Sequence, residues 1–198
     1  ACGAPALLAG PARRACSPGD ATSQYRESLG VFAGIVPWNF PAMIPMGWMA
    51  PLCLAAGNTM VLKAASYTPR TALRIIELWY EAGLPPGVLN LVTCSRAEAE
   101  LLLRHPSIAG VSFVGSSSVG RHVYEAAAAA GKRVQCLTEA KNHALVLADA
   151  ALERSAAGIV NSACGCAGER CMALPVVVAE EAIADELVAA LRRRMSEL

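Results

Sequence analysis

Gly30-Val31-Phe32-Ala33-Gly34-Ile35-Val36 and Thr59-Met60-Val61-Leu62-Lys63 are two short apolar runs, and a Pro-started amphipathic stretch at 44–56 lies between them. Runs of this length bounded by Gly, Pro and Asn read as buried strands, and a helical period between two of them makes a β-α-β unit. The unit repeats: helix 69–82, stopped by Gly83 and the Pro85-Pro86-Gly87 turn, then strand 88–92, helix 97–104 and strand 110–114. A loop at 115–120 opens an alanine-rich helix to 130; strands at 133–137 and 144–147, a helix at 152–163, a strand at 174–178 and a terminal helix at 183–197 complete the pattern. Repeated β-α-β units require a parallel sheet covered by helices. The predicted fold class is therefore α/β, an open parallel sheet with flanking helices.

Composition agrees. The 198 residues are 55% hydrophobic and 17% charged, with 17 Lys+Arg against 16 Asp+Glu for a net charge of +1. Disordered chains combine low hydrophobicity with charge imbalance, and nucleic-acid binders carry a basic excess; neither describes this chain. Residues 28–62 hold no charge, yet Pro37, Pro41, Pro45 and Pro51 break the stretch into pieces whose backbone groups would be unsatisfied in lipid, so no membrane partner is expected. Eight cysteines in 198 residues lie far below the roughly 8–10% of disulfide scaffolds. They read as reduced intracellular thiols. Cys164, Cys166 and Cys171 cluster without a C-x-x-C or His pair, so no metal site is predicted, and His105, His122 and His143 fall in separate segments as surface or structural residues.

In an open parallel sheet, ligands gather where the carboxyl ends of strands enter helices. Three unusual stretches sit there: Pro37-Trp38-Asn39-Phe40-Pro41, Lys63-Ala64-Ala65-Ser66, and Gly115-Ser116-Ser117-Ser118-Val119-Gly120. The last places backbone N–H groups and a positive helix end toward a phosphate, although alone it equally suits a flexible turn. The Lys63 ammonium can reach a phosphate or ribose, or simply be solvated. Asn39 offers a neutral amide donor for an oxyanion, or a turn that bonds its own backbone. Gly168-Glu169-Arg170-Cys171 sets a thiol beside a guanidinium; such a thiol ionises more readily and attacks carbonyl carbon, whereas many cysteines are merely small buried hydrophobes.

Together with Gly57-Asn58-Thr59 and Phe113-Val114-Gly115-Ser116, these stretches follow in order and spacing a pattern that resembles the aldehyde dehydrogenase superfamily, over nearly all of residues 30–198. Ala140-Lys141-Asn142-His143 and Arg170-Cys171-Met172-Ala173-Leu174 look most like its methylmalonate-semialdehyde dehydrogenase branch, which acylates CoA. The resemblance implies a Rossmann-like NAD-binding domain at 30–148, the start of a catalytic domain carrying the nucleophile at 149–198, and an extended arm, part of an oligomerisation hairpin, at 1–29. It assigns Cys171 as the nucleophile and Asn39 with the Cys171 backbone N–H as oxyanion donors. Arg170 would take the substrate carboxylate; Val36, Trp38, Lys63, Ser66, Gly115, Ser116 and Gly120 would bind the cofactor. NAD is the implied oxidant and CoA the acceptor, acting on a malonate-type semialdehyde in a homo-oligomer of the cytoplasm or, in a eukaryote, the mitochondrial matrix.

Three departures bear on that reading. Where the family usually has Lys-Pro-Ser-Glu, this chain has Lys63-Ala64-Ala65-Ser66, which removes a carboxylate that would repel a 2′-phosphate and leaves NADP open beside NAD. Hydrolytic members carry a Glu four residues before the position of Lys141; here it is Leu137, consistent with a thiol acceptor, which needs less base assistance than water. Glu139, on the same strand face by alternation, is the remaining candidate base. Family members are also much longer, and the chain begins at Ala1 and stops at Leu198 within a predicted helix, so a fragment is expected. The alternatives are a hydrolytic enzyme forming a free acid and a catalytically silent paralogue that only binds nucleotide.

Overall fold

The computed structural model describes residues 2–14 and 17–198. Cys16, counted among the thiols above, lies outside them. The chain forms two compact units, Ala1–Thr138 and Glu139–Leu198.

The first unit begins with a short helix α1 (Ala4–Leu8) and an antiparallel hairpin of β1 (Ala9–Arg14) and β2 (Ala21–Tyr25). Its body is a five-stranded parallel sheet. β3 (Val31–Ile35), β4 (Thr59–Lys63) and β5 (Leu89–Val92) lie on one side, and β6 (Ile108–Val114) and β7 (Arg133–Leu137) on the other, in the order β5-β4-β3-β6-β7. The central strands are apolar because helices cover them. α2 (Ala50–Ala55) and α3 (Pro69–Glu81) pack with Met60, Leu62 and Leu89 into one core, and α4 (Arg96–Arg104) and α5 (Ser117–Ala129) pack with Ala33, Val111 and Phe113 into another. Burying Leu62 and Leu89 completely stabilises the sheet by roughly 1.5–3 kcal/mol per side chain.

Two local features depart from the expected pattern. The stretch expected as one helix at 44–56 starts as a wide π-helical segment, Met43–Met49, whose end is marked by the Ala50 N–H bonding Pro45 O, five residues back. Pro45 and Pro51 lack the N–H groups that ordinary turns need, and the wider turn accommodates them. Second, the loop expected at 115–120 is shorter. Ser116 takes an extended N-cap conformation and α5 begins at Ser117, so Gly120 lies inside the helix and donates its N–H to Ser116 O at 2.8 Å.

The second unit is a further β-α-β. β8 (His143–Val146) and β9 (Val176–Ala179) pair in parallel, and α6 (Leu152–Cys164) and α7 (Glu181–Met195) pack with them through Val146, Ala156, Ile159, Leu187 and Ala190. β8, expected within the 30–148 domain, belongs here. Residues 138–142 are irregular, and the Asn142 amide bonds the carbonyls of Cys171 and Ala173, both at 2.9 Å, which draws the start of β8 to the segment before β9. No helix among the described residues is long and apolar enough to cross a membrane.

Candidate functional site

The strand order reverses between β3 and β6, since β3 connects outward to β4 and the later strands add on its other side. At such a switch point the loops leave in opposite directions and open a crevice beyond the strand ends. A cavity of about 340 Å³ occupies this position, lined by Ile35, Val36, Pro37 and Trp38 at the end of β3, Lys63 at the end of β4, and Val114, Gly115 and Ser116 at the end of β6. That volume is in the range of small-molecule sites, roughly 300–1,000 Å³.

Each wall residue has a local cause. The parallel register sets Ile35 beside Lys63 and Phe113, so three strands end level with one another. Val36 is buried and its N–H reaches Lys63 O at 3.4 Å, while Trp38 is 44% exposed and its carbonyl accepts from Thr68 Oγ1 at 3.2 Å. Gly115 admits no side chain, because a Cβ there would stand 2.5 Å from the Phe113 ring. Ser116 is the N-cap of α5; its hydroxyl lies 3.4 Å from that of Ser118 rather than capping the backbone, and it brings the positive helix end to the cavity wall.

The structure thus brings together five of the seven expected cofactor residues: Val36, Trp38, Lys63, Gly115 and Ser116. Two others lie off this wall. Ser66 is in an exposed turn, because the chain rises out of β4 toward α3 before reaching it. Gly120 is buried inside α5, where a Cβ would meet Thr138 Cγ2 at 2.4 Å and Phe113 Cε1 at 3.3 Å; its smallness serves the packing of helix on sheet.

Arg96 and Glu100, which the sequence did not mark, and His122, expected only as a surface or structural residue, complete the wall. Arg96 opens α4, and His122 Nε2 lies 2.5 Å from Glu100 Oε1. Positions 22 residues apart carry no local signal of pairing; only the side-by-side packing of α4 and α5 joins them. Arg96 had a weak signal, being the first helical residue after a strand end.

In the second unit, α6 leads into a tight 3-10 turn, Gly165–Gly168, and then to exposed Cys171. Cys166 and Ala167 both have φ of 53°, a left-handed conformation that strains residues with a Cβ, and Gly168 follows at 75°. Arg170 folds back over Gly165, where a Cβ would lie 2.7 Å from its guanidinium, and its Nε donates to Cys166 Sγ at 3.3 Å. Asn142, inside the Ala140–His143 run but given no role, is the side chain that holds this segment: its amide N–H groups go to the carbonyls of Cys171 and Ala173.

Asn39 is half-buried after β3, in the other compact unit from Cys171. Leu137 ends β7, and Glu139 follows in irregular chain, so strand alternation does not put them on one face as expected. Burial raises Cys53 from 9.0 to about 11 and pushes Cys136 up as well, which keeps both as protonated packing groups.

A doubly wound parallel sheet with a crevice at its switch point and the N-terminus of α5 beside it defines the class of open α/β domains that collect ligands at their strand ends. The chain belongs to the aldehyde dehydrogenase family, whose pattern matches residues 1–198. It is 50% identical over all 198 residues to malonate-semialdehyde dehydrogenase 1 of Geobacillus thermodenitrificans (strain NG80-2), covering 41% of that protein. Among solved structures, methylmalonate-semialdehyde dehydrogenase from Oceanimonas doudoroffii superposes with a TM-score of 0.94 at 42% identity over 100% of this chain and 40% of its own. A Sinorhizobium meliloti 1021 structure assigned as a methylmalonate-semialdehyde dehydrogenase and complexed with NAD gives 0.92 at 42% identity, over 99% and 40%. The chain therefore spans about 40% of the length of these relatives.

Proposed function

We propose that this chain carries the cofactor-binding region and the nucleophile of an enzyme that oxidises a malonate-type semialdehyde to an acyl-CoA. The switch-point cleft carries the reading: a cavity of about 340 Å³ with Lys63 at one strand end and Gly115 and Ser116 at another, beside the positive N-terminal end of α5, suits a dinucleotide. Lys63 and Trp38 would hold the adenosine side, and the first-turn N–H groups of α5 would meet phosphate. NAD, when bound, supplies the hydride acceptor.

The chain's own groups do the rest. Cys171 is exposed in a segment fixed through its carbonyl by Asn142, so the thiol stays free. Its thiolate attacks the aldehyde carbon; a C–S bond forms and the carbonyl π pair moves to oxygen. The Asn39 amide and the Cys171 N–H are assigned to that oxyanion, a role for which preorganised neutral donors are suited. Loss of hydride from the carbon leaves a thioester on Cys171. A CoA thiolate then attacks the thioester and the Cys171 thiolate leaves; the bond from the α-carbon to the carboxylate breaks, carbon dioxide departs, and the electron pair left on the α-carbon as an enolate takes a proton from solvent. Leu137, standing where hydrolytic members have a Glu, supports a thiol acceptor in place of water. Arg170 is assigned to the substrate carboxylate, a pairing for which guanidinium is suited; reaching it requires release from Cys166. The free thiols among the described residues support a reducing intracellular compartment, and the β1–β2 hairpin supports assembly into a homo-oligomer.

The test is absorbance at 340 nm with the purified chain, malonate semialdehyde and NAD, with and without CoA. CoA-dependent reduction that vanishes in Cys171→Ala is the expected result. Reduction independent of CoA would replace the acylating reading with a hydrolytic one, and nucleotide binding without any reduction would restrict the chain to a binding role.

A further inference from the structure

The backbone around Arg170 is fixed, while its side chain is held by very little. Ala173 donates its N–H to Arg170 O at 3.0 Å, and the Asn142 amide donates to the carbonyls of Cys171 and Ala173. The guanidinium therefore moves by side-chain torsion. Among the described residues no salt bridge involves Arg170, and its side-chain hydrogen bond goes to sulfur, from Nε to Cys166 Sγ at 3.3 Å. A thiol is a weak acceptor, whereas a carboxylate takes two parallel, charge-assisted bonds from a guanidinium.

Two neighbours hold the guanidinium where it lies. Gly165 leaves it room: a Cβ there would stand 2.7 Å from Nη2, 2.8 Å from Cζ and 3.0 Å from Nη1 of Arg170. With φ of −58° and ψ of 139°, the backbone at Gly165 would accept any residue, so it is the guanidinium that calls for glycine. Cys166 supplies the acceptor from a left-handed position, and its own carbonyl is tied by the Glu169 N–H at 3.0 Å.

We propose that Gly165 and Cys166 form a latch that parks the Arg170 guanidinium against the end of α6, and that the strength of this latch sets how far the Cys171 site favours carboxylate-bearing electrophiles over neutral ones. Both are positioning residues that act through Arg170. The proposal rests on the assignment of Cys171 as nucleophile and of Arg170 to the substrate carboxylate. A carboxylate arriving at Cys171 exchanges the weak N–H···S bond for paired N–H···O bonds, and a neutral aldehyde offers no such exchange. The latch competes with the carboxylate for one cation, so removing either the acceptor or the room beside it frees the guanidinium and raises the preference for anions.

Alkylation of Cys171 by iodoacetate and by iodoacetamide, which differ in charge but react at the same kind of carbon, tests this in the 198-residue chain without requiring turnover. Cleavage after Glu169 separates Cys171 from Cys166 for peptide mass spectrometry. Cys166→Ala and Gly165→Ala should each raise the iodoacetate-to-iodoacetamide rate ratio at Cys171 about threefold, less so as salt rises. Cys166→Ser, which keeps an acceptor, should stay near the unaltered chain, and adding Arg170→Ala to Cys166→Ala should abolish the rise. The backbone at Gly165 suits alanine, and Cys166 is exposed with the same φ as Ala167, so these variants should fold. An unchanged ratio in both latch variants overturns the latch. A lowered ratio overturns it too, since Gly165 and Cys166 would then hold Arg170 in the site. A rise that survives Arg170→Ala overturns the role given to Arg170. Alkylation of Cys171 no faster than that of exposed Cys2 overturns the nucleophile reading and this inference with it.

Discussion

In the unit Ala1–Thr138 the candidate ligand-binding side chains stand at or just past strand ends: Val36 beyond β3, Lys63 at the end of β4, Gly115 beyond β6. In the unit Glu139–Leu198 the candidate nucleophile, Cys171, stands in irregular chain, after three consecutive residues of positive φ, and its carbonyl is held by one amide. The first arrangement inherits its precision from the register of a buried sheet, where shifting one residue would move every neighbour. The second depends on a few local hydrogen bonds and on a turn held against its intrinsic preference. Precision at the switch-point cleft is therefore a property of the core, whereas precision at Cys171 is a property of particular side chains.

Mutations can separate the two. Leu62→Ala should have the largest effect: Leu62 is fully buried between β3, α2 and α3, and removing it should cost about 2–5 kcal/mol, read as a drop in denaturant midpoint together with lost nucleotide binding. If binding persisted unchanged in the folded variant, the cleft would not depend on the sheet core as argued. Asn142→Ala comes next. It removes two hydrogen bonds, about 1–2 kcal/mol together, and should change the rate at which Cys171 reacts with iodoacetamide, measured by peptide mass spectrometry, with 5′-AMP affinity untouched. An unchanged alkylation rate would mean that the turn holds the nucleophile without Asn142.

The smallest expected effect is a pH dependence. Burial raises the Cys53 thiol from 9.0 to about 11, so the folded chain keeps this proton at pH values where the unfolded chain loses it. The resulting stability is complete below about pH 9 and is lost as pH rises through about 11. Melting temperature should therefore fall less steeply between these values in Cys53→Ala than in the unaltered chain. Parallel slopes would show that Cys53 ionises equally in both states.

The alternating strands and helices were legible because burial of a sheet on both faces forces continuous apolar runs, as in 31–35 and 59–63, and because Gly and Pro mark the turns. The wall of the switch-point cleft was legible for the same reason wherever a residue ends or directly follows a strand, as Lys63, Val36 and Gly115 do. Legibility ended where placement depended on partners distant in sequence. Gly120 looks like a loop glycine until the Phe113 ring and Thr138 are set against it, and β8 looks like a sixth strand of the main sheet until Asn142 ties it to Cys171 and Ala173.

By itself the sequence determined the parallel α/β class, the strand ends at which ligands collect and the identity of the candidate nucleophile, because period, punctuation and residue type are local. Only the tertiary structure decided that α4 and α5 close one side of the cleft, that Glu100 is held by His122 while Arg96 and Lys63 carry no salt bridge, and that Arg170 lies against Cys166. Charge balance in a cleft depends on which side chains meet across it, and residues 22 or more positions apart meet only through packing.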